Sequence, residues 1–274
     1  MRWTNPQALF EFWCDLWTLN PYDRCDFSCV YCCTLAQGVS RPKLAADAIV
    51  EQLARELASD PPKPEIVIGG ASDPYPPAEA EHRVTRQIIT ALIGWDRRFH
   101  IVTKGLLIER DLDLLAPWAA SCRIQVSISS LDAAALAVLE PAAPSPLERL
   151  ALVRRLADAG LDVTVAATPW IPDLTDAREL IAAVPRSIPI QFGPLTIFPH
   201  PGRERVITLF GRRYSQETID RMYLEDRRRA GHHARVRWLY PALRPLTDGI
   251  PYLMSFLSPD DLLQPAVEVH SPAG

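Results

Sequence analysis

Three cysteines close together in the sequence are the residues best suited to chemistry in this 274-residue chain. Cys25, Cys29 and Cys32 are separated by three and then two residues, so one short loop can direct three thiolates at a soft metal centre. A structural zinc ion would need a fourth protein ligand, which Cys33, Cys14 or Cys122 could supply through the fold. An iron–sulfur cluster held by three cysteines instead keeps one iron open to a substrate or cofactor.

The sequence around these cysteines resembles the cluster loop of radical S-adenosylmethionine (SAM) enzymes. Residues 20–22 (Asn-Pro-Tyr) precede the first cysteine, Tyr31 lies just before the last one, and an apolar run at 12–19 that predicts a strand leads into the loop. Four later segments resemble, in order, motifs of the branch that includes spore photoproduct lyase: 69–79, 102–105, 126–129 and 169–176. The resemblance covers about residues 16 to 200.

This resemblance implies an enzyme with two cofactors, a [4Fe–4S] cluster on Cys25, Cys29 and Cys32 and a SAM molecule at the open iron. In the family, the reduced cluster cleaves SAM to methionine and a 5′-deoxyadenosyl radical, which takes a hydrogen atom from the substrate. An electron donor such as flavodoxin or ferredoxin is then required. A non-catalytic, zinc-stabilised binding module is the alternative outside enzymes.

The rest of the chain alternates apolar runs with amphipathic ones, which predicts an α/β fold. We predict strands at 12–19, 65–69, 99–103, 123–129, 162–167 and 188–192, and helices at 45–58, 79–95, 109–120, 146–159 and 176–184. Six such units fit the partial (β/α)6 barrel that the resemblance implies. We expect an N-terminal segment at 1–15, the barrel at 16–200, and a C-terminal extension at 201–274 that caps the substrate site.

The carboxyl ends of parallel strands collect the chemistry of α/β folds, so residues there are candidates for binding SAM. Gly69 and Gly70 end the second predicted strand, where the resemblance implies backbone contact with the methionyl ammonium group. A tight turn that needs glycine would explain them equally well. Ser72 and Lys104 stand where the resemblance implies contact with the SAM carboxylate.

Two serines further along face the same side of a predicted strand. Ser127 and Ser129 alternate with the apolar residues Val126 and Ile128, so both hydroxyls are expected in the barrel lumen. They either bind the ribose or methionyl part of SAM or are satisfied within the packed lumen.

Tyr31 and Cys33 flank the last cluster cysteine and are our candidates for catalytic residues. A thiol at Cys33 could return a hydrogen atom to a substrate radical, give up its sulfur, or only fill a small apolar space. The other two cysteines, Cys14 and Cys122, have no assigned role.

Charge is distributed unevenly along the chain, whose formal net charge is −4. Residues 201–240 contain ten Arg against five Asp or Glu, which indicates either a solvated helix surface or an anion site. Our candidate substrate residues are Asp73, Tyr75, Arg203, Arg205 and Arg235.

We therefore expect a radical SAM enzyme of biosynthesis whose substrate is an anionic, nucleotide-like small molecule. The alternative enzyme is a DNA photolesion lyase similar to spore photoproduct lyase, and nucleic acid is then the partner. Those lyases carry a cysteine near the start of the Ser-Asp segment, whereas residues 69–73 here read Gly-Gly-Ala-Ser-Asp. No segment approaches about eighteen uninterrupted apolar residues and the N-terminus lacks a signal-peptide layout, so we expect a cytoplasmic protein without a membrane partner.

Overall fold

A computed structural model of the chain describes residues 9–13, 16–32, 37–58, 66–170 and 177–194, together with residues 208 and 211. Seven strands in this part form one sheet in chain order: β1 (Phe10–Trp13), β2 (Leu16–Leu19), β3 (Val67–Ile68), β4 (Phe99–Thr103), β5 (Cys122–Ser127), β6 (Asp162–Trp170) and β7 (Ile190–Pro194). The six strands from β2 to β7 are parallel, and over the described residues the sheet is not closed. The predicted α/β fold with a partial barrel is confirmed.

The first apolar run folds as two strands, not as the single strand predicted over 12–19. β1 and β2 pair antiparallel, with Phe10 opposite Leu19 and Trp13 opposite Leu16. A connection this short can only reverse the chain, because parallel neighbours need a crossover of roughly a dozen residues or more. β2 is therefore the first parallel strand, and β1 lies at the edge of the sheet.

Seven helices are described: α1 (Ala46–Leu57), α2 (Glu79–His82), α3 (Val84–Gly94), α4 (Leu112–Leu115), α5 (Ala133–Leu139), α6 (Pro146–Asp158) and α7 (Ala177–Ala183). The helix predicted over 79–95 breaks at Arg83, whose backbone is left-handed with φ of 52°. The segment predicted as a helix over 109–120 contains only the single turn α4 between two 3₁₀ turns, Leu106–Asp111 and Ala116–Ser121. Among the described residues, every helix is too short or too polar to cross a membrane.

Helix α5 was not predicted, because seven residues are too few to show a helical period. Its start is nonetheless encoded locally, since the Asp132 side chain accepts hydrogen bonds from the N–H groups of Ala134 and Ala135 at 2.9 Å each. Helix α6 begins with a reciprocal cap, in which Ser145 and Glu148 each bond the backbone N–H of the other. These two caps fix the chain that follows β5.

Alternate residues of the strands separate an apolar core from a more polar face. Ile101, Ile124 and Val165 are fully buried in the core between the sheet and the helices. We call the opposite face of the sheet the inner face. Residues are assigned to it because they alternate with core residues along a strand or pair with such residues across the sheet; its polar members are Thr18, His100, Gln125, Ser127 and Gln191. The inner face therefore presents hydrogen-bonding groups, as a ligand site requires.

Gly105, which follows β4, tests the packing at the carboxyl end of the sheet. A Cβ added there would lie 2.2 Å from the carbonyl oxygen of Tyr75, although the φ of −74° suits any residue. We expect Gly105→Ala to destabilise the fold by about 1–3 kcal/mol through overpacking, measured by urea denaturation.

Gly94→Ala is the matched control for this substitution. Nothing lies within 4 Å of an added Cβ at Gly94, in the last turn of α3. Alanine is preferred to glycine in helices, so this variant should match the wild type or gain up to about 1 kcal/mol. Equal stability of the two variants would contradict the close approach of residues 75 and 105.

Candidate functional site

The three clustered cysteines lie on an irregular loop that follows β2, at the carboxyl end of the parallel strands. Cys29 is buried, Cys25 and Cys32 are partly exposed, and none of the three forms a disulfide bond within the described part of the chain. The loop closes on itself, because Gln37 donates to the Cys29 carbonyl oxygen at 2.6 Å and the Gly38 N–H donates to the Cys25 carbonyl oxygen at 3.2 Å. Sulfur ligands are thus displayed on a loop held by its own backbone.

Burial and nearby groups determine how easily these thiols lose their protons. Burial raises the pKa of Cys25 to about 12, and hydrogen bonds from the backbone N–H groups of Asp73 and Phe27 oppose the rise. Burial likewise raises the pKa of Cys29 to about 11, and the Lys104 cation opposes it. These partners offset only part of the effect of burial, so both groups are thiols at neutral pH and would release their protons on binding a metal. In the described part of the chain, no three His, Cys, Asp or Glu side chains are close enough together to hold a single metal ion. A [4Fe–4S] cluster does not need such a group, because each of its thiolate ligands binds a different iron.

Asn20 ties the start of the cysteine loop to the segment after β3. It is fully buried, and its Oδ1 accepts the N–H groups of Ala71 at 3.0 Å and Ser72 at 3.2 Å. Its Nδ2 donates to the carbonyl oxygen and the hydroxyl of Thr18. The Ser72 hydroxyl in turn donates to the Tyr22 carbonyl oxygen at 2.8 Å. Asn20 and Tyr22 of the Asn-Pro-Tyr sequence therefore hold the start of the cysteine loop against residues 71 and 72.

Gly69 and Gly70 have left-handed backbones, with φ of 97° and 111°. A Cβ at Gly69 would lie 2.5 Å from the Val102 carbonyl oxygen, so this buried glycine is required by the close approach of the segments that include β3 and β4. Gly70 is exposed, and a Cβ there would lie 3.2 Å from Thr18 Cγ2. Of the pair, Gly70 is the one whose backbone is open to a ligand.

Asp73 connects this segment to the end of β4. Its carboxylate accepts hydrogen bonds from the Thr103 hydroxyl at 2.6 Å, the Lys104 N–H at 2.7 Å and the Tyr75 N–H at 2.9 Å. Burial raises the pKa of Asp73, although these bonds oppose the rise. The predicted substrate residue Asp73 thus already has three protein partners.

Lys104 directs its ammonium group at the cysteine loop. Nζ lies 5.7 Å from the centroid of the Tyr31 ring, which is within cation–π range. Burial opposes the charged form, but the nearby Cys29 and Glu140 side chains outweigh it and raise the pKa of Lys104 above its ordinary value. Lys104 is consequently a cation beside the three-cysteine loop.

A buried ion pair that the sequence analysis missed lies against the same loop. Arg149 of α6 donates to Glu140 at 2.6 Å and to the Ser127 carbonyl oxygen at 2.7 Å. The hydroxyls of Tyr31 and Ser129 both donate to Glu140 Oε1. Burial opposes ionisation of Glu140, but nearby cations, Arg149 among them, keep its pKa below the ordinary value. Tyr31 and Ser129 therefore meet at one carboxylate, and the Ser127 carbonyl oxygen is joined to it through Arg149.

One sequence signal could have revealed this pair. Arg149 occupies the apolar stripe of α6 together with Leu152, Val153 and Leu156, three and more residues further on, and all four are fully buried. A charged residue in such a stripe needs a buried partner, because an unpaired buried charge is costly. The identity of that partner depends on the tertiary fold.

Tyr75 does not present its hydroxyl to the loop. It is almost fully buried, and its hydroxyl donates to Asp111 at 3.2 Å in a second buried network with Arg86 and Arg110. Arg110 also pairs with the buried Glu79 at 2.8 Å. This network supports the fold behind the site.

The remaining candidates are separated from the loop or lie outside the described residues. Cys122 is buried in the core at the first residue of β5, at the opposite end of that strand from Ser127. Residues outside the described ranges are Cys14, Cys33, Arg203, Arg205 and Arg235. Most of the proposed C-terminal extension also lies outside them, so its boundary stays a prediction.

Two curated relatives of this chain are described as uncharacterized proteins. A protein of Mycobacterium tuberculosis is 32% identical over 181 residues, which cover 60% of this chain and 52% of that protein. A protein of Methanocaldococcus jannaschii is 26% identical over 170 residues, 60% of this chain and 64% of that protein. The chain thus spans about half the length of the mycobacterial relative.

Solved structures share the fold at low sequence identity. Spore photoproduct lyase complexed with dinucleoside spore photoproduct has a TM-score of 0.62 at 17% identity, covering 90% of this chain and 78% of that one. Streptococcus suis SuiB bound to S-adenosylmethionine has a TM-score of 0.52 at 15% identity, covering 73% of this chain and 48% of that one.

Structural similarity at this level of identity shows only the fold, whereas a match to a family model shows which family the chain belongs to. The model of the radical SAM superfamily matches residues 19–183, which is more than half of the 274 residues. The matched segment contains the cysteine loop, Lys104 and the buried pair of Glu140 and Arg149. The chain therefore belongs to the radical SAM superfamily, a family of enzymes that use a [4Fe–4S] cluster and S-adenosylmethionine.

Proposed function

We propose that this chain is a radical SAM enzyme that acts on an anionic, nucleotide-like small molecule in biosynthesis. When bound, the reduced [4Fe–4S] cluster and SAM supply a 5′-deoxyadenosyl radical that abstracts a hydrogen atom from the substrate. One observation carries the proposal: the three-cysteine loop, the exposed Gly70 and Lys104 follow the neighbouring parallel strands β2, β3 and β4, and Lys104 Nζ lies 5.7 Å from the ring of Tyr31 in that loop.

Cys25, Cys29 and Cys32 would hold the cluster, and Lys104 would hold the SAM carboxylate by charge pairing. Ser72 is less suited to that carboxylate, since its hydroxyl already donates to the Tyr22 carbonyl oxygen and a carboxylate offers no proton in return. Its contribution would be to fix the segment after β3.

Gly70 and the two serines would contact the other parts of SAM. The exposed Gly70 backbone suits the methionyl ammonium group, because no Cβ blocks the approach. Ser129 donates its proton to Glu140, which leaves its oxygen free to accept from a ribose hydroxyl. Ser127, on the inner face at the end of β5, would bind beside it.

The substrate class is inferred from charge, since the fold does not decide it. Spore photoproduct lyase was solved with a dinucleoside photoproduct and SuiB with its precursor peptide SuiA. The ten Arg against five acidic residues in 201–240 favour an anionic substrate, with Arg203, Arg205 and Arg235 as its candidate partners. Photolesion repair is less favoured, because residues 69–73 contain no thiol.

Replacing Cys25, Cys29 or Cys32 by alanine should remove most of the bound iron, because each thiolate holds a separate iron. The wild type, purified without oxygen, should contain about four irons and four sulfides per chain. Cys122→Ala is the matched control: this buried thiol lies in the core, so iron should be retained while stability falls by about 1 kcal/mol. A Cys29→Ala protein that kept its iron and still cleaved SAM would overturn the cluster assignment.

Lys104→Ala should weaken SAM binding by roughly 1.5–3 kcal/mol, the scale of a charge-assisted hydrogen bond, with iron content unchanged. Isothermal calorimetry on the cluster-loaded protein measures this. Arg55→Ala, which removes an exposed cation from α1, controls for a general charge effect and should leave the affinity as it is. Unchanged affinity in Lys104→Ala would show that Lys104 does not hold the carboxylate.

Salt dependence separates a small anionic substrate from DNA. A protein that contacts six to ten phosphates loses about 10³–10⁵ in DNA affinity between 50 and 200 mM salt, whereas a small anion held by two or three arginines gives a much gentler slope. We expect only weak oligonucleotide binding by fluorescence anisotropy, and SAM cleavage that responds to candidate nucleotides. Tight, steeply salt-dependent DNA binding that is lost on replacing Arg227, Arg228 and Arg229 would favour the repair function instead.

A further inference from the structure

Two consecutive residues of the cysteine loop bond to two consecutive residues after β5. The Val30 N–H donates to the Leu139 carbonyl oxygen at 2.9 Å, and the Tyr31 hydroxyl donates to Glu140 Oε1. The loop makes a tight turn between these residues, in which the Cys32 N–H donates to the Cys29 carbonyl oxygen at 3.0 Å. The part of the loop that carries two cluster ligands therefore lies directly on the end of α5.

Glu140 is fixed in turn by Arg149. Glu140 is 3% exposed and Arg149 0%, and their side chains are joined at 2.6 Å. The second terminal nitrogen of Arg149 donates to the Ser127 carbonyl oxygen at 2.7 Å, which anchors the pair to the last residue of β5. The carboxylate thus has one defined position relative to the sheet.

Stability alone does not account for an ion pair at this position. Apolar residues of similar volume in place of a buried pair often leave a protein equally or more stable, because desolvating two charges is costly. What apolar residues could not provide is an acceptor for the hydroxyls of Tyr31 and Ser129. The pair has a use beyond packing.

The Tyr31 ring is also contacted on its face. Lys104 Nζ lies 5.7 Å from the ring centroid, so the ring is bounded by a cation on one face and held by Glu140 at its hydroxyl. If the ring moved, the loop would lose its contact with Glu140 and the Lys104 ammonium group would lose its contact with the ring. One phenol therefore joins the proposed ligands of the cluster to those of SAM.

We propose that Glu140, held by Arg149, is a positioning residue that fixes Tyr31 and so sets the cysteine loop in register with Lys104 and with the serines at the end of β5. Tyr31 then acts by position, not as a catalytic hydrogen donor, because its hydroxyl proton is directed at Glu140. This inference rests on the proposed function, since it is SAM that must reach from the cysteine loop to Lys104 and the serines.

Tyr31→Phe is the mildest test, because it removes one hydroxyl and leaves Glu140 with Arg149 and Ser129. The probe is SAM alone, titrated into the reduced, cluster-loaded protein while the electron paramagnetic resonance spectrum of the cluster is recorded. Iron content should equal that of the wild type. The SAM concentration that half-completes the spectral change should rise about three- to tenfold, the loss expected for one hydrogen bond. The SAM concentration for half-maximal 5′-deoxyadenosine formation without substrate should rise in parallel.

A second variant reaches the same contact from the other side without leaving a charge unpaired. Glu140→Gln combined with Arg149→Met removes both buried charges at similar volume. It should raise the SAM requirement by no more than Tyr31→Phe, because the amide oxygen still accepts from the Tyr31 hydroxyl but without the charge, and adding Tyr31→Phe to it should give less than the additive change. Arg155→Gln is the matched control on the same helix, because it breaks the exposed pair with Glu109 and should leave the SAM response unchanged.

The opposite results are equally distinct. A Tyr31→Phe protein whose spectral titration matches the wild type would overturn the positioning role, and so would loss of iron from that variant. Fully additive effects of the two sets of substitutions would also overturn it, because residues that act through one contact cannot contribute independently. A wild-type protein that holds its cluster yet shows no spectral response to SAM would refute the proposed function itself.

Discussion

The constraint on which this site depends is that an irregular loop must be held rigidly enough to present three thiolates. Such a loop has no ladder of its own, so its polar groups need partners elsewhere. Two tyrosines supply long-range connections of this kind: Tyr22 donates to Glu79 at 2.5 Å near the start of the loop, and Tyr31 donates to Glu140 near its end. Each carboxylate is buried and paired with an arginine, Arg110 or Arg149. The loop is therefore positioned by two ion pairs that lie outside it.

The two ion pairs differ in what they cost. Arg110 keeps about a quarter of its side chain in contact with solvent, so part of its hydration survives beside Glu79. Arg149 is enclosed completely, and its desolvation has to be offset by Glu140 and by the Ser127 carbonyl oxygen. The Glu79 pair can thus be understood as a support for the fold. The Glu140 pair lies at the edge of the proposed SAM site, where fixed geometry has more value than stability.

The sequence was sufficient for the parallel units, since apolar periodicity reports on local structure, and β4 was predicted with its observed bounds. The sequence-based prediction was wrong where the apolar periodicity does not report the structure. The predicted helix over 79–95 is divided by the left-handed residue Arg83, and β1 is defined only by its pairing with β2. The cysteine loop was found because its residues are close in sequence. The contact of Tyr31 with Glu140 spans 109 positions, and no local pattern specifies such a partner.

Charge compensation around the loop decides which cation a ligand meets. The Arg149 charge is committed to Glu140, at 2.6 Å and out of contact with solvent. The Asp73 carboxylate has three protein donors, among them the backbone N–H of Lys104. Lys104 itself is partly exposed, and its ammonium group lies over an aromatic ring, an interaction weaker than a direct ion pair. Because the Arg149 and Asp73 charges are compensated by these partners, Lys104 is the cation that we propose for the carboxylate of bound SAM.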